Sequence, residues 1–280
     1  MPTASRRLWR ASPMTYIALI LAVLLSMYPF YYMFVIATRS NDAINDTPPP
    51  FTPGSSFGDN FSRVLESEQV NFIQGLINSL IVCTIVTLSV VLTSSLAGFA
   101  FAKLRFKGRN VLLVAILATM MVPTQLGIIP LWGMMVDWGW TGLEAVIVPF
   151  LTSAFGVFMM RQYATSAVSD ELIEAARVDG CSTLRIYWSV VLPAVRPAAG
   201  VLGLLVFMEN WNSFLWPYAI LQDSEDTTIQ VSLAFISSAY YTDYSLVFAA
   251  TAVSTIPLVL VFVVFGRQII GGIMEGAIKA

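Results

Sequence analysis

Six apolar stretches, each long enough to cross a lipid bilayer as a helix, leave this 280-residue chain few folds to choose from. They run approximately over Met14–Thr38, Phe72–Ala102, Val111–Trp132, Thr141–Met160, Val195–Tyr218 and Leu246–Phe265. In hydrocarbon every backbone N–H and C=O must find its partner within the protein, and runs of this length satisfy that rule as helices. Composition agrees: 57% of the residues are hydrophobic and 11% charged, against about 25% charged in soluble domains. The second stretch is long enough to tilt or to project from the membrane. Pro123, Pro130 and Pro149 fall inside stretches, where neighbouring helices can re-satisfy the backbone they interrupt.

The basic residues orient the spans. With the N-terminus inside, Arg6, Arg7, Arg10, Lys103, Arg105, Lys107, Arg109, Arg161, Arg177, Arg185, Arg196, Arg267 and Lys279 are cytoplasmic, and only Arg39 and Arg63 of the 15 are external. That asymmetry predicts a multi-pass protein of the cytoplasmic membrane with both termini inside. The expected layout is a cytoplasmic segment 1–13, a transmembrane domain 14–270 and a cytoplasmic tail 271–280. Within the domain, an external loop covers about 39–71 and a cytoplasmic loop about 161–194. Ser5-Arg6-Arg7 ahead of an apolar run resembles an export signal, but the run exceeds a signal core and lacks a small-x-small cleavage site, which favours an uncleaved first span. A short helix is expected near Asn60–Glu68. The external loop Leu221–Tyr244 carries Asp223, Glu225, Asp226 and Asp243 without a basic residue.

Several chemistries lack their residues. The chain has no histidine and two isolated cysteines, Cys83 and Cys181. No imidazole base, triad or Cys/His metal cluster can be assembled from these. No Gly-x-x-x-x-Gly-Lys-Ser/Thr phosphate loop occurs, so no ATPase activity is expected in this chain. The basic run Lys103–Arg109 flanks two spans on the inside; it fits topology and anionic lipid, not nucleic acid.

The most informative segment joins the fourth and fifth spans. Ser169 or Asp170 can cap a helix whose acidic first turn suits its positive end. Gly180 is placed to end that helix in a left-handed conformation, Ser182 to cap a second short helix, and Pro193 to limit it. The segment resembles the EAA loop of ATP-binding-cassette (ABC) importer permeases. Glu174-Ala175-Ala176, three residues, Gly180, then Leu192-Pro193 match that pattern, and Val190 stands where the pattern has Ile. Leu126–Leu131 with Trp138–Gly142 resembles the third-span region of carbohydrate-importer permeases. Asn210–Pro217 resembles their fifth-span ending, and Gly271–Lys279 the tail of the maltose-type permease.

The resemblance implies an all-α membrane protein of about six transmembrane helices with a cytoplasmic coupling helix, the type I ABC importer permease fold. It implies that Glu174, Ala175, Ala176, Gly180, Leu192 and Pro193 form a loop docking on an ATPase subunit. It also implies a second permease, two ATPase subunits that bind ATP and Mg, an extracellular or lipid-anchored solute-binding protein, and a sugar substrate of the di- or oligosaccharide class. This chain itself would hold no cofactor and perform no catalysis. Glycerol phosphates and related solutes are the alternative cargo.

A second candidate region lies in span five. Glu209 sits deep in an apolar run, where an ionisable group costs about 2.5–3.5 kcal/mol on insertion scales and must face protein or water. Glu209, Asn212 and Trp216 are spaced to share one helix face, with Asn210 beside them. A carboxylate and an amide can bond sugar hydroxyls, and an indole can cover a sugar ring; the same groups can instead hold span five to its neighbours. An ion-coupled secondary transporter would use Glu209 but leaves the loop unexplained, and a membrane enzyme lacks its catalytic groups.

Overall fold

The structure, a computed structural model, describes residues 12–44, 47–67, 70–221, 227–237 and 242–278, with side chains as far as 266. Asp223, Glu225, Asp226 and the side chains of the tail lie outside the described residues. All regular structure among those residues is helical. Two compact units divide the chain, Met1–Ser67 with Ile236–Val253, and Glu68–Phe235 with Ser254–Ala280.

In the first unit, α1 (Pro13–Ala37) is capped by the Ser12 hydroxyl, which accepts the Thr15 N–H at 3.2 Å, and opens on Pro13. A proline is harmless there because first-turn N–H groups have no helical partner. Its first five turns expose Leu, Ile and aromatic side chains all round, as a helix in lipid does. The last turn is buried at Val35, Ile36 and Ala37. Two short helices follow, α2 (Asn41–Ile44) and α3 (Phe57–Leu65); the second meets the expected helix and begins three residues before it. Buried Asn60 fixes the turn after α1 by donating to the Ala37 and Arg39 carbonyls at 2.9 and 2.8 Å. Arg39 in turn donates to the Thr52 carbonyl. Arg63 pairs with Asp243, whose other oxygen accepts the Ser245 hydroxyl at 2.5 Å and the Leu246 N–H at 3.2 Å. Burial raises the Asp243 pKa, but the Ser245, Arg63 and Leu246 donors outweigh it and hold the carboxyl below its ordinary value.

The second unit is organised by α4 (Phe72–Lys103), a 32-residue helix capped by the Asn71 side chain. Next come α5 (Arg109–Thr119), α6 (Ile128–Asp137), α7 (Leu143–Ile147) and α8 (Ala154–Ala167). Then follow α9 (Asp170–Val178), α10 (Thr183–Ile186), α11 (Leu192–Trp211) and α12 (Leu215–Ile220). The short helix α13 (Ile229–Ser237) and the long α14 (Tyr244–Ile278) complete the order. The core lies where α4 meets α8 and α11, around Val82, Val86, Val90, Phe99, Met160 and Leu202. Lipid is as apolar as leucine, so this packing depends on close fit more than on escape from water. The fit is tight: a Cβ added to Gly98 would come within 2.8 Å of Arg161 backbone, and one on Gly156 would run into the Ser94 hydroxyl.

Three expectations about the spans change. The third is not one straight helix: α5 and the segment from Thr124 to Asp137 are bent by 87°. Pro123 stands at the break, where it lacks an N–H and disfavours helix at the residue before it. The fourth runs from Leu143 to Ala167, past the expected Met160, through a 3-10 turn at Val148–Phe150 that contains Pro149. The loop before the last span carries α13, which the sequence reading missed. Its start is seated on α4, with the Asn78 amide donating to the Thr227 carbonyl at 3.1 Å and Ser79 accepting the Ile229 N–H at 2.8 Å. Among the described residues, five helices are long and apolar enough to span, or six with the bent pair counted as one.

Candidate functional site

The loop between spans four and five folds as its local chemistry dictates. Ser169 adopts extended backbone and accepts the Leu172 N–H at 3.4 Å, opening α9. Asp170 and Glu171 stand in the first turn and Arg177 in the last, each on the side its charge favours. At the far end Gly180 has φ +77°. The Gly180 N–H donates to Arg177 O at 3.0 Å and the Cys181 N–H to Ala176 O at 2.9 Å. This pair of bonds is the Schellman termination, and it needs a left-handed residue at Gly180. Ser182 then caps α10 by accepting the Arg185 N–H at 3.3 Å.

Within this frame Ile173 is buried and Ala176 half-buried against the core, whereas Glu174, Ala175 and Gly180 are exposed. Leu172, Val178, Leu184 and Trp188 are exposed as well, giving the loop an apolar outer surface. Asp170 meets Lys103, the last residue of α4, at 2.7 Å. That hydrogen bond and the lysine's charge hold the Asp170 carboxyl below the usual aspartate range. Tyr187, buried beside Phe99, shares a 2.7 Å hydrogen bond with Ser95 of α4.

Pro193 does not end the second helix. Tyr187–Val191 forms a π-helical turn and the chain runs on from Thr183 to Trp211 without a break. The Leu192 N–H reaches back five residues to Tyr187 O. This widened turn relieves the clash that a proline ring makes with the preceding turn of a regular α-helix.

Nor do Glu209, Asn212 and Trp216 share one helix face. Helix α11 stops at Trp211, and the chain turns through Asn212–Phe214 before α12. Asn210 and Asn212 spend their amides on the Val206 and Met208 carbonyls, both at 2.8 Å, a local bond that competes with the helix ladder. Trp216 is 5% exposed, donates its indole N–H to Ala145 O at 3.1 Å and meets Phe150 edge-on. It is a core anchor and not a cover for a sugar ring. Glu209 and Asn212 are both exposed, at and just beyond the end of α11. Lys103, Ser95 and Tyr187 escaped the sequence reading, because their partners lie 67 and 92 positions away.

Residues 91–271 match the model of the binding-protein-dependent transport system inner membrane component. The chain belongs to this family. It is therefore a multi-pass membrane permease subunit of an ABC importer, not an enzyme, which removes the ion-coupled transporter from consideration. Among such permeases it is 34% identical to the lactose transport system permease protein LacG of Rhizobium radiobacter over all of both chains. It is 32% identical to the arabinooligosaccharides transport system permease protein AraQ of Bacillus subtilis, over 79% of this chain and 78% of that one. The sn-glycerol-3-phosphate transport system permease protein UgpE of Yersinia pestis is 30% identical over 93% and 95%. A chain of a bacterial ABC transporter that imports the acidic polysaccharide alginate superposes with a TM-score of 0.80 at 25% identity, covering 95% of this permease and 98% of that chain.

Proposed function

We propose that this permease forms one half of a pore for a di- or oligosaccharide, paired with a second permease and driven by two ATPase subunits, with a solute-binding protein delivering the sugar. The observation that carries the sugar reading is the full-length likeness to a lactose permease, together with the arabinooligosaccharide relative. The Yersinia relative makes glycerol 3-phosphate the second cargo to try. Both termini are assigned to the cytoplasm on the basic-residue asymmetry.

The Glu-Ala-Ala loop is the coupling element in this reading. Glu174, Ala175 and Gly180 supply its outward surface, Ala176 seats it on the core, and Leu192 and Pro193 form its junction with span five. Support comes from the exposed apolar surface at Leu172, Val178, Leu184 and Trp188, which polar solvent does not favour and a protein groove does. The solute path on this chain is assigned to Glu209 and Asn212, with Asn210 beside them; Trp216 is withdrawn from it.

Purification of the tagged chain in mild detergent, with mass spectrometry of its companions, tests the assembly. Recovery of a second permease and an ATPase carrying a phosphate loop is expected; recovery of this chain alone overturns it. Uptake of labelled lactose, arabinobiose and glycerol 3-phosphate by cells lacking and regaining the gene then fixes the cargo. Gly180→Leu is expected to assemble and hydrolyse ATP without uptake, and normal uptake in that variant sinks the coupling role.

A further inference from the structure

The cation at the end of α4 is handled unlike its neighbours. Arg105 and Lys107 stand exposed, as residues that only set topology do. Lys103, by contrast, has a side chain 7% exposed, and its ammonium is held 2.7 Å from Asp170, the first residue of α9. Burying an ammonium is costly unless it is paired, so the position of α9 is tied to that of the lysine. The far end of the same loop is held too. The hydroxyls of Tyr187 and Ser95 meet at 2.7 Å in the core, and the Tyr187 ring lies on Phe99. Ser95 and Lys103 are eight residues apart on α4, about 12 Å along the helix. One fixed point leaves a loop free to pivot; two points this far apart remove that freedom.

We infer that Lys103 and Tyr187 are positioning residues that clamp the Glu-Ala-Ala loop to α4 at two points, so that the loop and α4 move as one body. The inference rests on the loop being the coupling element. Between the two points the chain is itself stiff, closed by the Schellman bonds at Ala176–Cys181 and by the Ser182 cap. A displacement applied to the outer surface of α9 is therefore delivered to α4, and through it to α8 and α11, which pack on it. The fifth span, continuous with the loop from Thr183 to Trp211, receives the motion directly as well, and the second carries it to the fourth.

The test uses the whole transporter purified from its native membranes. Spin labels are placed on exposed Leu92 of α4 and on Arg177 of α9, exposed and outside the residues assigned to docking, in a Cys83→Ala, Cys181→Ser background. The label-to-label distance is measured by pulsed spin resonance without nucleotide and with ATP plus vanadate. One narrow distance, unchanged between the two states, is expected. Lys103→Met should make it broad or state-dependent and lower solute uptake per ATP by about fivefold or more, the low end of ordinary coupling between sites. Lys103→Arg should restore both, and Tyr187→Phe, which keeps the ring and loses the hydroxyl, should show a smaller effect. If Lys103→Met does not assemble, Asp170→Asn on the exposed partner takes its place. A distance that shifts with nucleotide in the unaltered loop, or that stays narrow in Lys103→Met, overturns the clamp. Uncoupling by Gly180→Leu with an intact distance in Lys103→Met overturns the clamp alone; normal uptake in Gly180→Leu overturns the coupling role beneath it.

Discussion

The two ends of span five treat their backbone in opposite ways. At one end the helix passes Pro193 and Pro197 and continues; at the other it stops at Trp211, where neither proline nor glycine stands. At Pro193 the π turn over Tyr187–Val191 is already widened, so that the missing N–H and bulky ring of that proline are accommodated. The second end breaks because Asn210 and Asn212 turn their amides back on the helix carbonyls, and because Trp216 is fastened to Ala145 on another element. Proline marks where a helix is able to stop. Side-chain bonds to the rest of the protein decide where it does.

Removing the anchor tests this contrast hardest. Trp216→Ala deletes a buried indole and should cost about 3–5 kcal/mol, read as a lowered unfolding temperature of the purified transporter. A variant as stable as the parent would mean that the asparagines alone place the break. Pro193→Ala should change stability by less than about 1 kcal/mol. A proline strained inside a regular helix would release about 3 kcal/mol on removal, and a gain of that size would show that the π turn does not accommodate it. The smallest effect concerns the loop beyond the first end. Because its pairing with Lys103 lowers the folded-state pKa of Asp170, the stability that carboxylate contributes is fully present above the ordinary aspartate pKa of about 3.9 and fades as pH falls below it. The difference in unfolding temperature between parent and Asp170→Asn should accordingly be constant from pH 7 to pH 5 and shrink in stronger acid. A difference that grew on acidification would reverse the sign of the pairing.

The same contrast explains what could be read in advance. The Glu-Ala-Ala loop was legible because its determinants are local: Ser169, Gly180 and Ser182 each act on residues no more than four positions away. The apolar spans were legible for the same reason, as runs. The stripe Glu209–Asn212–Trp216 was misjudged because spacing on a helix presumes that the helix continues, and the bond ending that presumption comes from Ala145, 71 residues away. The helix Ile229–Ser237 was missed because its start is held by Asn78 and Ser79 of α4, about 150 residues earlier. Lys103 read as one of four flanking cations until its partner was in view.

At Gly180 the requirement is one of handedness, not of size. A Cβ built there meets nothing within 4 Å, yet φ is +77°. Room exists for a methyl group, but an L-residue cannot comfortably take up this backbone shape to occupy it. The mirror-image alanine would sit in the turn without strain, whereas its natural counterpart would not. Among the genetically encoded residues only glycine has no handedness to offend, and asparagine is the next best tolerated in this conformation. A side chain introduced there tests first the backbone and only afterwards whatever surface the loop is pressed against.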